Sequence, residues 1–110
     1  MPHILVEHSE KSIIDTSTML HDLHHTLAGH ETINLQAIKT RSVEVEYCLV
    51  GDESQSDKMV HITVRLLAGR PDDLRKAIAQ SMQDTARNHV SDDTAVTVEI
   101  VDMDAVSYCK

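Results

Sequence analysis

Two segments of this chain open alike, and that likeness constrains its fold more than any other feature. His3-Ile4-Leu5-Val6 and His61-Ile62-Thr63-Val64 each lead into an amphipathic helical stretch and then into an alternating strand. Alternation of period two marks a strand with one face on a core, and a 3.6-residue period marks a helix doing the same. In the first unit, residues 3–8 are predicted as a strand and about Asp15 to Ala28 as a helix. Leu20, Leu23 and Leu27 form the helix's apolar stripe, and Gly29 follows as a C-cap. A connection carrying Ile33, Leu35 and Ile38 leads to a second strand, where Val43, Val45, Tyr47 and Leu49 alternate with Glu44, Glu46 and Cys48.

The loop from Gly51 to Asp57 separates the units. A third strand is predicted from Lys58 to Leu67, with Val60, Ile62, Val64 and Leu66 on one face and His61, Thr63 and Arg65 on the other. After Ala68-Gly69-Arg70, Pro71 stands where a helix takes its first residue, and Asp72 and Asp73 suit the positive end of its dipole. That helix is predicted to reach about His89, with Leu74, Ala77, Ile78, Met82 and Ala86 inward. In the last strand Val96, Val98 and Ile100 alternate with Thr97, Glu99 and Val101, and residues 103–110 add a short strand or hook. The order β-α-β-β-α-β defines one α/β domain (an α+β sandwich) with a pseudo-two-fold internal repeat. Its units span about residues 2–50 and 58–102, and a four-stranded mixed sheet carries both helices on one face. The uncovered face, with Glu44, Glu46, His61, Thr63 and Arg65 among Val and Leu residues, predicts self-association.

Composition narrows the function. A chain of 110 residues builds one core. A net charge of −8 argues against nucleic acid and against anionic membranes, since both need a basic patch. No apolar run approaches the roughly 18 residues of a membrane span and no leader pattern precedes the first strand, so a cytoplasmic protein is expected. Cys48 and Cys109 are far apart and read as thiols.

Pro2 lies directly behind Met1 at the head of the first strand. It is either a tolerated strand-start residue, where a missing N–H breaks no ladder bond, or a base exposed by removal of Met1. An α-amino group titrates near neutrality, and an apolar or cationic surround lowers it further. The run His21-Asp22-Leu23-His24-His25 puts His21 and His25 one helical turn apart, within reach of Asp22 or Asp15 for a divalent metal. Two histidines do not close a site, so a polar outer helix face is the expectation and no metal is predicted. Glycine-rich phosphate loops are absent, and Ser81 and Ser107 have no triad order around them. His3 and His61 occupy matched places and read as structural, as do Glu7 and His8 at the end of the first strand.

Three segments carry a family resemblance: Pro2-His3-Ile4-Leu5-Val6-Glu7, Ile38-Lys39-Thr40-Arg41, and Val60-His61-Ile62-Thr63-Val64-Arg65-Leu66-Leu67-Ala68-Gly69-Arg70. In order and spacing they resemble the 5-carboxymethyl-2-hydroxymuconate isomerase family, a branch of the tautomerase superfamily. The resemblance implies a tautomerase-like subunit assembled as a homotrimer, with Met1 removed and Pro2 as general acid/base. It also implies proton transfer on an enol or dienol carboxylic acid, without a cofactor. Arg70, Arg41 and Lys39 would bind the substrate's carboxylates. Lys39 stands where the family pattern has an arginine, which keeps the charge but loses the bidentate fork. The alternative is a non-catalytic oligomeric scaffold or small-acid binder on the same fold.

Overall fold

Residues 1–110 are described by a computed structural model. The elements run β1 (His3–His8), α1 (Thr16–Ala28), a single 3-10 turn (Leu35–Ala37), β2 (Lys39–Glu44), β3 (Met59–Leu67), α2 (Asp72–Arg87) and β4 (Ala95–Met103). The sheet order is β2-β1-β3-β4, with β1 parallel to β2, β1 antiparallel to β3, and β3 parallel to β4. The expected β-α-β-β-α-β topology and mixed sheet are therefore present.

The repeat is visible in the register. His3 lies opposite Lys39 and Leu5 opposite Arg41, while His61 lies opposite Thr97 and Thr63 opposite Glu99. Across the central pair, His3 faces Arg65 and Glu7 faces His61, the reciprocity a two-fold requires. Both helices bury three residues four apart: Met19, Leu23 and Leu27 on α1, Ile78, Met82 and Ala86 on α2. These meet Ile4, Val6, Val60, Ile62, Val64 and Leu66 from the sheet in a single apolar core. Thr26 Oγ1 bonds Thr85 Oγ1 at 2.9 Å between the helices, and His30 Nε2, just beyond α1, bonds Ser81 Oγ of α2 at 2.8 Å.

The caps follow local chemistry. Asp15 precedes α1 and accepts from the Thr18 N–H at 3.2 Å. Pro71 is the N-cap of α2 rather than its first residue, and its carbonyl accepts from the Arg75 N–H at 3.1 Å. Gly69 has φ +124°, a conformation that strains any residue with a Cβ, and it turns the chain between β3 and α2. That turn fixes where Arg70 leaves the sheet.

Three expectations need correction. The second strand lies at Lys39–Glu44, not at 43–49. A strand persists only where it has a partner, and β1 supplies one from His3 to His8 before the chain turns away at Ser9. One further bond, Val45 N–H to the His8 carbonyl at 2.8 Å, ends the ladder, and the alternating residues beyond it are irregular. Val43, Tyr47 and Leu49 are left 51%, 87% and 78% exposed. Ala77 is exposed, since the buried stripe of α2 runs through Ile78. The uncovered sheet face includes His61, Thr63 and Arg65 as expected, but β2 contributes Lys39, Arg41 and Val43 to it, while Glu46 lies outside the sheet. No helix is long and apolar enough to cross a membrane.

Candidate active site

The chain enters the sheet at Pro2, which is buried and whose carbonyl accepts from the Lys39 N–H at 3.0 Å. Pro2 is thus held by the head of the β1–β2 ladder, with no side-chain rotamer to fix. Met1 lies over it, with its sulfur 4.0 Å from Lys39 Nζ and its carbonyl oxygen 3.5 Å from the Tyr108 hydroxyl. The terminal amine is held below its ordinary value, first by desolvation and then by the charges of Lys110, Lys39 and Arg70. Two of the three cations singled out in the sequence, Lys39 and Arg70, are therefore near enough to lower the Met1 amine.

Arg70 is half-buried. Its Nη1 donates to the Leu67 carbonyl at 3.2 Å and its Nη2 to the Thr32 carbonyl at 3.4 Å, while Nε is buried without a partner. Asp72, a natural counter-ion for Arg70, pairs instead with Arg75 at 3.4 Å. None of Lys39, Arg41 and Arg70 forms an ion pair with a carboxylate, so their charge has no carboxylate counter-ion within the chain.

Arg41 is directed elsewhere: its Nη1 donates to His3 Nδ1 at 3.1 Å. His3, Arg41, Arg65, Asp102, Met103, Asp104, Ser107 and Tyr108 line a cavity of about 450 Å³ beside the terminus. His3 is held below the ordinary histidine range by desolvation, then by Arg41, Lys39, the terminal amine and Arg65. Reading the sequence missed both His3 and Tyr108 as members of this site.

The largest cleft, about 590 Å³, lies elsewhere, against α1 and β2, and its lining includes His21, His24 and His25. His24 Nδ1 bonds Thr40 Oγ1 at 2.7 Å, and His21 and His25 are exposed. Asp22 bonds His89 at 2.6 Å instead of joining a histidine pair, and no cluster of three or more His, Cys, Asp or Glu side chains is placed to hold a metal. Cys48 and Cys109 are unpaired.

No curated protein matches this chain in sequence. Among solved structures, a 5-carboxymethyl-2-hydroxymuconate isomerase from Deinococcus radiodurans R1 superposes with a TM-score of 0.86, at 18% identity, over 99% of this chain and 87% of that one. Pt0534 inactivated by 2-oxo-3-pentynoate superposes with a TM-score of 0.81, at 12% identity, over 98% and 91%. A fused 4-OT symmetric trimer gives 0.82, at 16% identity, over 98% and 90%. At these identities the likeness establishes the fold. The family model for 5-carboxymethyl-2-hydroxymuconate isomerase spans residues 2–109, from the proline at the head of β1 to the tail that carries Tyr108. On that match and that fold, the chain belongs to the 5-carboxymethyl-2-hydroxymuconate isomerase family of the tautomerase superfamily.

Proposed function

We propose that this protein is a cofactor-independent isomerase that moves a proton on a small enol or dienol carboxylic acid of the 5-carboxymethyl-2-hydroxymuconate kind. Pro2, freed by removal of Met1, is its general acid/base. The observation that carries this reading is a buried proline held at the head of the β1–β2 ladder, its carbonyl accepting from the Lys39 N–H at 3.0 Å, with no carboxylate pairing Lys39, Arg41 or Arg70. After Met1 is removed, burial and neighbouring cations favour the neutral form of the Pro2 amine, which is the form that accepts a proton. The conjugate acid delivers the hydroxyl proton to carbon, so one residue serves both half-steps. Lys39 and Arg70 hold carboxylates. Arg41 gives one N–H to His3 and keeps others for an anionic group entering the cavity beside the terminus.

The working form is a homotrimer in the cytoplasm, where Cys48 and Cys109 stay reduced. The exposed Val43, Tyr47 and Leu49 at the β2 edge support assembly, as does the trimeric state named for a relative of the same fold. Intact mass of the native protein, followed by proton transfer on 5-carboxymethyl-2-hydroxymuconate, tests the reading. Loss of Met1 with turnover that disappears on acylation of Pro2 is expected. A retained Met1, seated as it is against Lys39 and Tyr108, would overturn the chemistry and leave a non-catalytic binder of small acids.

A further inference from the structure

The chain has two tyrosines with different fates: Tyr47 is exposed, and Tyr108 is folded back onto the chain terminus. Beyond β4 a turn reverses the tail, with the Ser107 hydroxyl donating to Asp104 Oδ2 at 2.7 Å and the Tyr108 N–H donating to the Asp104 carbonyl at 2.9 Å. This hook brings the Tyr108 hydroxyl to 2.8 Å from His3 Nε2. The two rings meet edge-to-face, their centroids 6.0 Å apart.

The direction of these hydrogen bonds follows from donor chemistry. A guanidinium only donates, so His3 Nδ1 accepts from Arg41, and in the neutral ring the proton then sits on Nε2. Nε2–H donates to the Tyr108 oxygen. The phenol's own hydrogen is therefore free to donate, and the oxygen 3.5 Å away is the Met1 carbonyl. That oxygen sits on the carbon bonded to the Pro2 nitrogen. The phenol thus points at an oxygen immediately beside the atom proposed to move the proton.

We infer that Tyr108 contacts substrate, its hydroxyl donating to the keto or enol oxygen while Pro2 transfers the proton, with His3 and Arg41 as positioning residues. The inference rests on the reading of Pro2 as the base. Removal of Met1 takes away the phenol's acceptor and leaves the donor aimed at the space the substrate fills. With a dienol substrate Pro2 takes the hydroxyl proton, and the O–H electron pair is left as charge on the enolate oxygen. That pair then forms the C=O bond while the conjugated π pair moves to a distal carbon, which takes the proton back from Pro2. The oxygen gains charge only during the reaction, so a donor aimed at it stabilises the transition state more than the ground state. Lys39 and Arg70, facing carboxylates whose charge does not change, contribute mainly to binding.

The test uses 2-oxo-3-pentynoate, whose alkyne carbon forms a bond to the Pro2 nitrogen as the conjugated ketone oxygen takes up charge, and acrylonitrile, which has no oxygen. Adduct formation is read on the N-terminal peptide by mass spectrometry. Tyr108→Phe is expected to slow 2-oxo-3-pentynoate labelling about tenfold or more and to leave acrylonitrile labelling unchanged. His3→Leu should match Tyr108→Phe, and His3→Gln, which keeps a donor, should recover part of the rate. Equal slowing with both reagents means the hook only supports the pocket, and no slowing means the phenol does not act; either overturns the inference. A wild-type protein labelled at residue 2 by neither reagent defeats the reading of Pro2 instead, and the inference with it.

Discussion

His3 and His61 occupy the same place in the two halves of the repeat and have neighbours of opposite charge. Each reaches diagonally to the adjacent parallel strand, at matched positions. His3 meets Arg41 at 3.1 Å, and His61 meets Glu99 at 2.9 Å. Directly opposite them stand Lys39 in one half and Thr97 in the other, the latter bonded to His61 at 2.7 Å. The position matching Pro2 is Val60, a buried residue inside a continuous strand. One fold repeated twice thus places cations and a chain terminus at one end of the sheet, and an acid with no terminus at the other. The repeat provides the scaffold, and the departures from it mark where the proposed base and its anionic substrate would meet.

The largest effect should come from breaking that asymmetry at its source. Pro2→Ala, with a free terminus confirmed by mass, is expected to lower kcat about 100-fold or more, the scale of a lost general base. Lys39→Ala and Arg70→Ala should each lower kcat/KM roughly tenfold to a hundredfold, mainly through KM, as one charge-assisted contact to a carboxylate is removed. They also sharpen the pH profile. A general base works when unprotonated, so an amine titrating below the ordinary α-amino range begins to work at lower pH. The charges of Lys39 and Arg70 lower the Met1 amine, and on the reading that the freed Pro2 amine takes its place, either replacement should move the rising limb of kcat/KM to higher pH. A limb that does not move would mean that these charges do not face the base.

Exchanging the partners of the two histidines gives a smaller effect. Arg41→Gln should cost about two- to tenfold in kcat, the size of one net hydrogen bond, and should raise the His3 titration observed by NMR. Glu99→Gln should leave turnover unchanged. If Glu99→Gln proved as harmful as Arg41→Gln, the open sheet face would act as one site and the contrast between the halves would fail.

Alternation and helical period sufficed to place β1, α1, β3, α2 and β4, because each of these buries one continuous stripe in the core. They failed at β2 for a reason internal to sheets. The pattern at Val43-Glu44-Val45-Glu46-Tyr47 is strand-like, but a strand's extent is set by its partner, and β1 offers only six residues. Lys39, Arg70 and Pro2 were legible because they lie in segments shared with a family. Tyr108 was not, since its position depends on a tail reversal held by Asp104 and Ser107, and contacts of that kind leave no periodic trace. The role of His3 was hidden in the same way. Its place in the repeat was visible, but the side chains meeting its two nitrogens come from β2 and from the tail.

The smallest expected effect is on stability in mild acid, and its sign follows from the cationic end of the sheet. His3 in the folded chain resists protonation, through desolvation first and then Arg41, Lys39, the terminal amine and Arg65. His24 does so through desolvation and its neighbours His25 and His21. In the unfolded chain both bind protons near the ordinary value of about 6.5. As pH falls through that value the unfolded state takes up more protons than the folded one, so stability declines with falling pH. Melting temperature should therefore drop between neutral pH and about pH 5, ahead of any carboxylate titration near pH 4. His3→Gln with His24→Gln should flatten that part of the curve. Because neither ring is deeply buried, the drop should be modest. If His3→Gln with His24→Gln left that part of the curve unchanged, His3 would accept a proton in the folded state as readily as in the unfolded one, and Arg41 could then no longer donate to it.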